Sequence, residues 1–302
     1  MKKILVLASV LFLSLSLSAQ NVGVLNGPSG IPCAYLIENS QENLHFDFFA
    51  NAQEELAKLI KGELDIGFLP PNVAAKVYTK NNGKLLCLGI TGNGNLFVIS
   101  KDESIKSIKD LNGKTIYCAG QGATPEYMTR FLLSENKSDS VLDFSIPNAQ
   151  LAGAVISGKA EYAIVPEPFP TVASIKDKSV KRVLDLQKEF YSLQKTEYPI
   201  TVLVVNSDYA AKNPKNVKSF EKQVEKAIAW TVKNPAQAGI LVEKHKMGLA
   251  AAVVEKSIPN GSYVWVPAKK GRRQIEKLLS IFLENQPESI GGKLPAEGFY
   301  FN

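Results

Sequence analysis

The stretch DLNGKTIYCAGQGATPEYMTR, residues 110–130, predicts a strand, a glycine-containing loop and a helix start in direct succession. Residues 114–118 alternate apolar and β-branched side chains, as a short buried strand does. Thr124 is then expected to cap a helix, because Pro125 follows it at the first helical position and Glu126 lies in the first turn. The loop between the strand and the helix consists of Gly120, Gln121, Gly122 and Ala123.

This loop has the features of a small-molecule site. The first backbone N–H groups of a helix have no partner within the helix, and they carry the positive end of the helix dipole. Glycine has no side chain, so a ligand can approach its backbone closely. We therefore expect a polar or partly anionic small molecule to contact the loop at Gly120, Gln121, Gly122 and Thr124.

Two other strand ends repeat the arrangement. Residues 22–25 form an apolar strand that runs into a turn and a helix, and residues 65–69 do the same. Because ligands bind at the carboxyl ends of strands in open α/β sheets, all three loops are expected to line one site. The candidates in these two loops are Asn26, Gly27, Ser29, Pro70 and Asn72.

Three more residues complete the candidate site, each near a strand end. They are Asn93 in the turn 92–95, Glu167 after the strand 162–165, and Tyr198. Glu167 is expected to accept a hydrogen bond from a ligand amine or ring N–H, or from the opposite lobe. Purely structural alternatives remain open: a tight turn at the glycines, helix caps at Asn26 and Ser29, a solvated strand end at Glu167, and core packing at Tyr198 and Trp265.

Composition indicates a soluble globular protein. The 302 residues are 45% hydrophobic and 21% charged, which suits two domains of ordinary size. The basic residues are scattered and lack interleaved aromatic residues, so nucleic-acid binding is not expected. The odd number of cysteines without a CxxC pair makes metal binding improbable, and Cys87 and Cys118 are predicted to be buried thiols.

The amino terminus predicts export. Lys2 and Lys3 precede an apolar run over residues 4–17, followed by small residues up to Ala19, as in a secretory signal peptide. Residues 1–19 are therefore expected to be removed, which lowers the formal charge from +6 to +4 by the loss of two lysines. No cysteine follows closely enough for lipid attachment. The mature protein is expected to be soluble in the periplasm or otherwise outside the cytoplasm.

Strands and helices alternate along most of the mature chain, which predicts an α/β fold with two lobes, each a mixed sheet flanked by helices. Residues 20–100 and 200–302 are assigned to the first lobe and residues 101–199 to the second. The chain would cross between the lobes near Ser100 and Pro199. Strands 85–91 and 96–100 are expected to form a hairpin or a close crossing, and the carboxy-terminal third, residues 208–302, is expected to be entirely helical.

Four segments resemble one known family: VGVLNGPSG (22–30), KGELDIGFLPP (61–71), IKDLNGKTIYCAGQGATPEY (108–127) and SGKAEYAIVPEPF (157–169). The chain is similar to type II periplasmic solute-binding proteins of ABC importers, in the nitrate, sulfonate, taurine and thiamine-pyrimidine-precursor branch. The resemblance implies a two-lobed protein that holds its ligand between the lobes and docks on a membrane permease. The candidate loops contain no arginine, which disfavours a strongly charged sulfonate or nitrate.

The expected function is capture of a small polar or heteroaromatic ligand by a monomeric binding protein without catalytic residues, cofactor or metal. A vitamin precursor is favoured as the ligand, and an alkyl sulfonate is the second choice. An enzyme of the thiamine-pyrimidine or menaquinone-precursor type is an alternative that the resemblance leaves open. However, His45 and His245 are the only histidines available for acid–base chemistry. A ligand-sensing subunit of a receptor is the third possibility.

Overall fold

The computed structural model of the protein describes residues 19–40 and 43–301. The predicted signal peptide therefore lies outside the described residues except for Ala19. Strands and helices alternate through most of the described chain, as the hydrophobic pattern predicted. The first elements are β1 (Gln20–Leu25), α1 (Gly30–Asn39), β2 (Leu44–Phe49), α2 (Ala52–Lys61), β3 (Ile66–Leu69), α3 (Pro71–Lys80), β4 (Leu85–Asn93) and β5 (Leu96–Ser100).

The middle of the chain contains the predicted strand, loop and helix start. These elements are β6 (Thr115–Cys118), α4 (Thr124–Glu135), β7 (Val141–Asp143), α5 (Leu151–Ile156), β8 (Tyr162–Pro166), α6 (Phe169–Lys176), β9 (Lys181–Asp185) and α7 (Leu186–Gln194). Helix α4 begins at Thr124, so the expected cap at Thr124 was wrong by one residue. Ala123 occupies the cap position and offers no side-chain acceptor.

The last third is mostly helical but not entirely so. Its elements are β10 (Pro199–Asn206), α8 (Ser207–Lys212), α9 (Pro214–Lys233), α10 (Pro235–Lys244), α11 (Ala251–Ser257), β11 (Tyr263–Pro267) and α12 (Ala268–Asn285). Strand β11 corrects the all-helical expectation. Its run of Tyr, Val and Trp favours a strand, and it pairs antiparallel with β4, whose edge it covers.

Two mixed sheets, each flanked by helices, confirm the predicted fold class. The first sheet has the order β11-β4-β10-β3-β1-β2, and the second has the order β7-β6-β8-β5-β9. In the first sheet β1 pairs in parallel with β2 and β3, whereas β10 runs antiparallel to both β3 and β4. In the second sheet β6 is parallel to β7 and β8, and β5 is antiparallel to β8 and β9.

Strand β5 lies in the second sheet, paired with β8 and β9. The boundary expected at Ser100 had placed this strand in the first lobe, and the pairing corrects that assignment. The turn 92–95 is therefore a crossing between the sheets and not a hairpin. The chain returns between α7 and β10, the strand that begins at Pro199.

Apolar packing joins both sheets into one continuous interior. The largest cluster of buried side chains includes residues of both sheets, and aromatic pairs connect them: Tyr127 of α4 contacts Phe282 of α12, and Phe190 of α7 contacts Tyr198. Fully burying a large apolar side chain such as Phe282 is worth about 1.5–3 kcal/mol. Cys87 and Cys118 lie buried in this cluster, as the sequence predicted.

Candidate ligand site

The loops after β3 and β6 approach each other between the two sheets. The Asn72 side-chain nitrogen donates a long hydrogen bond of 3.5 Å to the carbonyl oxygen of Gly122. The loop after β8 also reaches the first crossing, where the Glu167 backbone N–H donates to the Asn95 carbonyl oxygen at 3.1 Å. The loops after β3 and β6 therefore meet, as the strand-end argument predicted, and the loop after β8 meets the first crossing in a second contact.

Three buried polar atoms at these two contacts have no hydrogen-bond partner within residues 19–40 and 43–301. They are Oδ1 of Asn72, Oδ1 of Asn95 and Oγ1 of Thr124. These residues are 1%, 2% and 0% exposed, respectively. Leaving a buried polar group without a partner costs about 1–3 kcal/mol, so each such group in a native fold calls for an explanation. A ligand that bonds to these atoms would recover that free energy.

Glu167 is bound by an arginine that the sequence analysis did not associate with it. Arg182 of β9 donates from Nε to Glu167 Oε1 at 2.7 Å and also from Nη2, while the Thr171 hydroxyl donates to Oε2 at 2.8 Å. Burial raises the pKa of Glu167 above its ordinary value, and the Arg182 charge opposes this shift. Three hydrogen bonds from Arg182 and Thr171, both in the second lobe, thus reach this carboxylate, and its contact with a ligand amine stays a prediction.

The glycine loop before α4 is stabilised by its own side chains. Gly120 and Gly122 adopt φ of +73° and +74°, a region that favours glycine. The Gly120 N–H donates to Asn148 Oδ1 at 3.2 Å, and the Gly122 N–H donates to Glu126 Oε2 at 2.8 Å. The Glu126 carboxylate thus occupies the position at the helix start where the sequence analysis expected an anionic ligand. Gln121 is exposed.

The loop after β1 lies beside the same interface. Gly27 adopts φ of +113°, and Ser29 precedes α1 without a side-chain cap. The first two N–H groups of α1 donate to the carbonyl oxygens of Gly27 and Pro28. Asn26 and Gly27 line a cavity of about 480 Å³ together with Pro168 and Phe169 from the second sheet's side.

Asn93 and Tyr198 have structural roles, and Pro70 lies at the start of a helix. The Asn93 amide donates to Glu197 Oε2 and accepts from Gln274 Nε2 at 3.0 Å, so it ties the two crossings to α12. Tyr198 is fully buried against Phe190, with ring centroids 5.1 Å apart. Pro70 precedes α3 and accepts a hydrogen bond from the Ala74 N–H.

Glu55 is a buried acid directly behind β3. It lies in α2 and fills the space beside Gly23 and Gly67, where a Cβ on Gly67 would approach Glu55 Oε1 to 2.5 Å. Its Oε1 accepts from the Phe68 N–H at 2.7 Å, and Oε2 has no partner among the described residues. Burial raises the pKa of Glu55 to about 8, so the carboxyl is mostly protonated at neutral pH.

The sequence analysis missed Arg182 and Asn95. Asn95 was part of the quoted turn 92–95, and a polar residue just before the apolar run 96–100 is a signal that could have identified it. Arg182 lies in a strand 15 residues after Glu167, and the two meet only because β8 and β9 both pair with β5. That pairing could not be read from the sequence.

Comparisons with known proteins agree with this architecture. An ABC transporter from Parabacteroides distasonis has 25% sequence identity and a TM-score of 0.83, covering 94% of this chain and 99% of that one. The periplasmic aliphatic sulphonate binding protein SsuA from Escherichia coli has 18% identity and a TM-score of 0.72, with 92% of each chain covered. The periplasmic nitrate-binding protein NrtA from Synechocystis PCC 6803 has 13% identity and a TM-score of 0.66, covering 89% and 81%.

Sequence comparison identifies a family although no curated protein sequence matches the chain. Within the described residues, no helix has both the length and the apolar character needed to cross a membrane. The family model of NMT1/THI5-like proteins matches residues 54–238, which is more than half of the chain. The resemblance predicted from the four sequence segments is thereby confirmed, and the chain belongs to the NMT1/THI5-like family.

Proposed function

We propose that this chain is the exported solute-binding protein of an ABC importer. It captures a small polar or heteroaromatic molecule between its two sheets and delivers it to a permease in the membrane. Support comes from the family and from the similar structures, among them an ABC transporter and proteins that bind sulphonate or nitrate.

One observation carries the proposal. Asn72, Asn95 and Thr124 come from the start of α3, the first crossing and the start of α4, and each buries a polar atom without a partner in the described chain. Solute sites are mostly apolar clefts with a few convergent polar groups, and they favour the space between lobes. Asn72 and Thr124 belong to the place where the loops after β3 and β6 meet, and Asn95 belongs to the contact of the first crossing with the loop after β8. Polar groups contributed by both lobes suit a ligand held between them.

The lobes would close on the ligand by motion at the two crossings. The first lobe contains β1 to β4, β10 and β11, and the second contains β5 to β9. The Gly94 N–H donates to the Tyr198 carbonyl oxygen at 2.9 Å, so the two crossings lie side by side, as a hinge with two chain segments requires. The expectation of a monomer and the limits of the signal peptide remain predictions.

The enzyme alternative has little acid–base material to draw on. His45 of β2 contacts Asp47. His245 after α10 contacts Glu38 of α1 and also lines the cavity that Asn26, Gly27, Pro168 and Phe169 form. No group of histidine, cysteine, aspartate and glutamate that could hold a metal ion occurs in the described parts of the chain. A sensory role would use the same site and differ only in the membrane partner.

Ligand binding and closure can be measured together on the mature protein. A thermal-shift screen of sulfonates, nitrate, thiamine precursors and flavins should contain a compound that raises Tm, because a ligand specific for the folded state stabilises it. Small-angle scattering with that compound should give a smaller radius of gyration than without it. A screen in which no compound raises Tm contradicts solute capture, and an unchanged radius contradicts closure.

A further inference from the structure

A basic cavity lies between the end of α7 and one face of α12. It has a volume of about 550 Å³ and is lined by residues 194–196 together with side chains of α12. Helix α7 packs on β5 and β9 of the second sheet, whereas α12 packs on β4 and β11 of the first sheet. A molecule bound in this cavity would therefore contact elements that belong to both sheets.

Four exposed basic side chains line the cavity: Lys195, Lys270, Arg273 and Lys277. The last three lie at positions i, i+3 and i+7 of α12, so they share one face of the helix. Among the described residues of the lining, Glu276 is the only acidic one. Four basic residues against one acidic residue give the lining a formal charge of +3.

The basic groups of α12 in this cavity have no anionic partner. Glu276 Oε1 is bonded to Arg272 Nε at 2.8 Å. Lys270, Arg273 and Lys277 make no ion pair and no side-chain hydrogen bond within residues 19–40 and 43–301. Like charges three or four residues apart on a helix repel each other, and cations close to a helix start also face the positive end of its dipole. A bound anion would offset both costs.

Lys195 lies on the other wall of the cavity. It follows the last residue of α7 with φ of +54°, and its Nζ donates to the Ser192 carbonyl oxygen at 2.9 Å. An ammonium group has three donors, so two remain for a ligand. Ser280 adds a hydroxyl on the α12 side. The two walls together present N–H and O–H donors to a molecule between them.

A multivalent phosphate oxyanion fits these groups. The planar guanidinium of Arg273 can bond two phosphate oxygens at once, and the lysines act as point charges. Leu294 is the only apolar residue among the described residues of the lining, so phosphate groups rather than an apolar body would carry recognition. The site is concave, which suits a compact ion, whereas the phosphates of a membrane surface would need a protruding face.

We propose that this cavity is a second binding site, which takes a small multivalent phosphate such as pyrophosphate and joins the end of α7 to α12. Lys270, Arg273 and Lys277 hold the anion from one wall, and Lys195 holds it from the other. None of the described lining residues belongs to the loops after β1, β3 and β6. The site is thus separate from the candidate solute site and does not depend on the proposed function.

The first test measures pyrophosphate binding to the mature protein by calorimetry and thermal shift. Pyrophosphate should bind at one site per chain and should raise Tm, because a ligand specific for the folded state stabilises it. Sulfate at the same ionic strength should bind at least about tenfold more weakly, since it brings fewer oxygens and less charge to the basic groups. Vesicles of phosphatidylglycerol serve as the membrane comparison.

Variants on both walls test the bridge. Arg273→Gln and Lys195→Asn should each weaken pyrophosphate binding about fivefold, the upper range for an exposed charge pair. Asparagine is suitable because it tolerates the positive φ of Lys195. Lys222→Gln, at an exposed position of α9, is the matched control and should bind as the parent does. Without pyrophosphate, Arg273→Gln should keep the parent Tm or exceed it, because a repulsion is removed.

Each other outcome contradicts a defined part of the proposal. Equal weakening in Lys222→Gln and Arg273→Gln would mean general attraction to a basic protein and would overturn the site. Unchanged binding by Lys195→Asn would overturn the bridge between α7 and α12. Binding to phosphatidylglycerol vesicles without binding of pyrophosphate would overturn the choice of a small anion. A protein that binds neither has no phosphate site, and solute capture, which is tested with other compounds, would be unaffected.

Discussion

Replacing Glu55 by glutamine should change how the stability of the protein depends on pH. Glu55 is fully buried behind β1 and β3, and burial raises its pKa to about 8 from an ordinary value of 4.5. The folded state therefore binds a proton that the unfolded state releases. Stability contributed by this proton is fully present below about pH 4.5 and falls as the pH rises through about 8.

The size of the effect follows from the difference between the two pKa values. One pH unit of difference corresponds to about 1.4 kcal/mol, so ionising Glu55 inside the fold costs about 5 kcal/mol. About 4 kcal/mol of this cost develops between pH 5 and pH 9, because the unfolded carboxyl is already largely ionised at pH 5. The hydrogen bond from the Phe68 N–H opposes the rise in the pKa that burial causes.

Urea unfolding of the parent and of Glu55→Gln at several pH values measures the effect directly. The free energy of unfolding of the variant minus that of the parent should rise by about 4 kcal/mol between pH 5 and pH 9. Glu225→Gln, at an exposed position of α9, is the matched control and should follow the parent at every pH. Parallel curves for Glu55→Gln and the parent would refute the argument, because they would mean that Glu55 titrates alike in both states.

Two further variants test the packing around the site. Arg182→Leu should destabilise the protein by about 3–5 kcal/mol in denaturant unfolding, because Glu167 loses the cation that balances its buried charge. The double variant with Glu167→Leu should recover most of the loss, and a double variant as unstable as the single one would contradict the charge argument. Gly94→Ala should lower stability by about 1–3 kcal/mol, because its Cβ would lie 2.3 Å from the Tyr198 ring. A Tm equal to that of the parent would show that the segment 92–95 shifts enough to accept the added methyl group without loss of stability.

Local sequence signals were sufficient for most elements. The strand, glycine loop and helix start around residues 110–130 were predicted because a buried strand, two glycines and a proline follow one another without conflict. Helix α7 was missed because it begins directly where β9 ends. Asp185 closes the strand and caps the helix, accepting from the N–H groups of Gln187 and Lys188. No glycine or proline marks that boundary.

The candidate site was only partly predictable because partners across the sheet decide which polar groups remain free. Asn72, Gly122 and Thr124 were placed at the interface by their position after strand ends. Asn93 had the same local signal, yet Glu197 and Gln274 occupy both ends of its amide. Those partners come from positions 104 and 181 residues away in the chain. The local sequence pattern therefore identifies the polar residue but does not show whether its hydrogen-bonding atoms already have partners.

The unpartnered atoms also bear on when the lobes close. In the proposed closure, Asn72, Asn95 and Thr124 would lose water, and without a ligand each polar atom would cost about 1–3 kcal/mol. The closed arrangement would then be disfavoured in the unloaded protein, because water could satisfy the same atoms in an open cleft. A ligand that bonds to them favours closure by its difference in affinity for the two states. A molecule that leaves these atoms without partners would favour closure less, so the proposed closure would itself select among ligands.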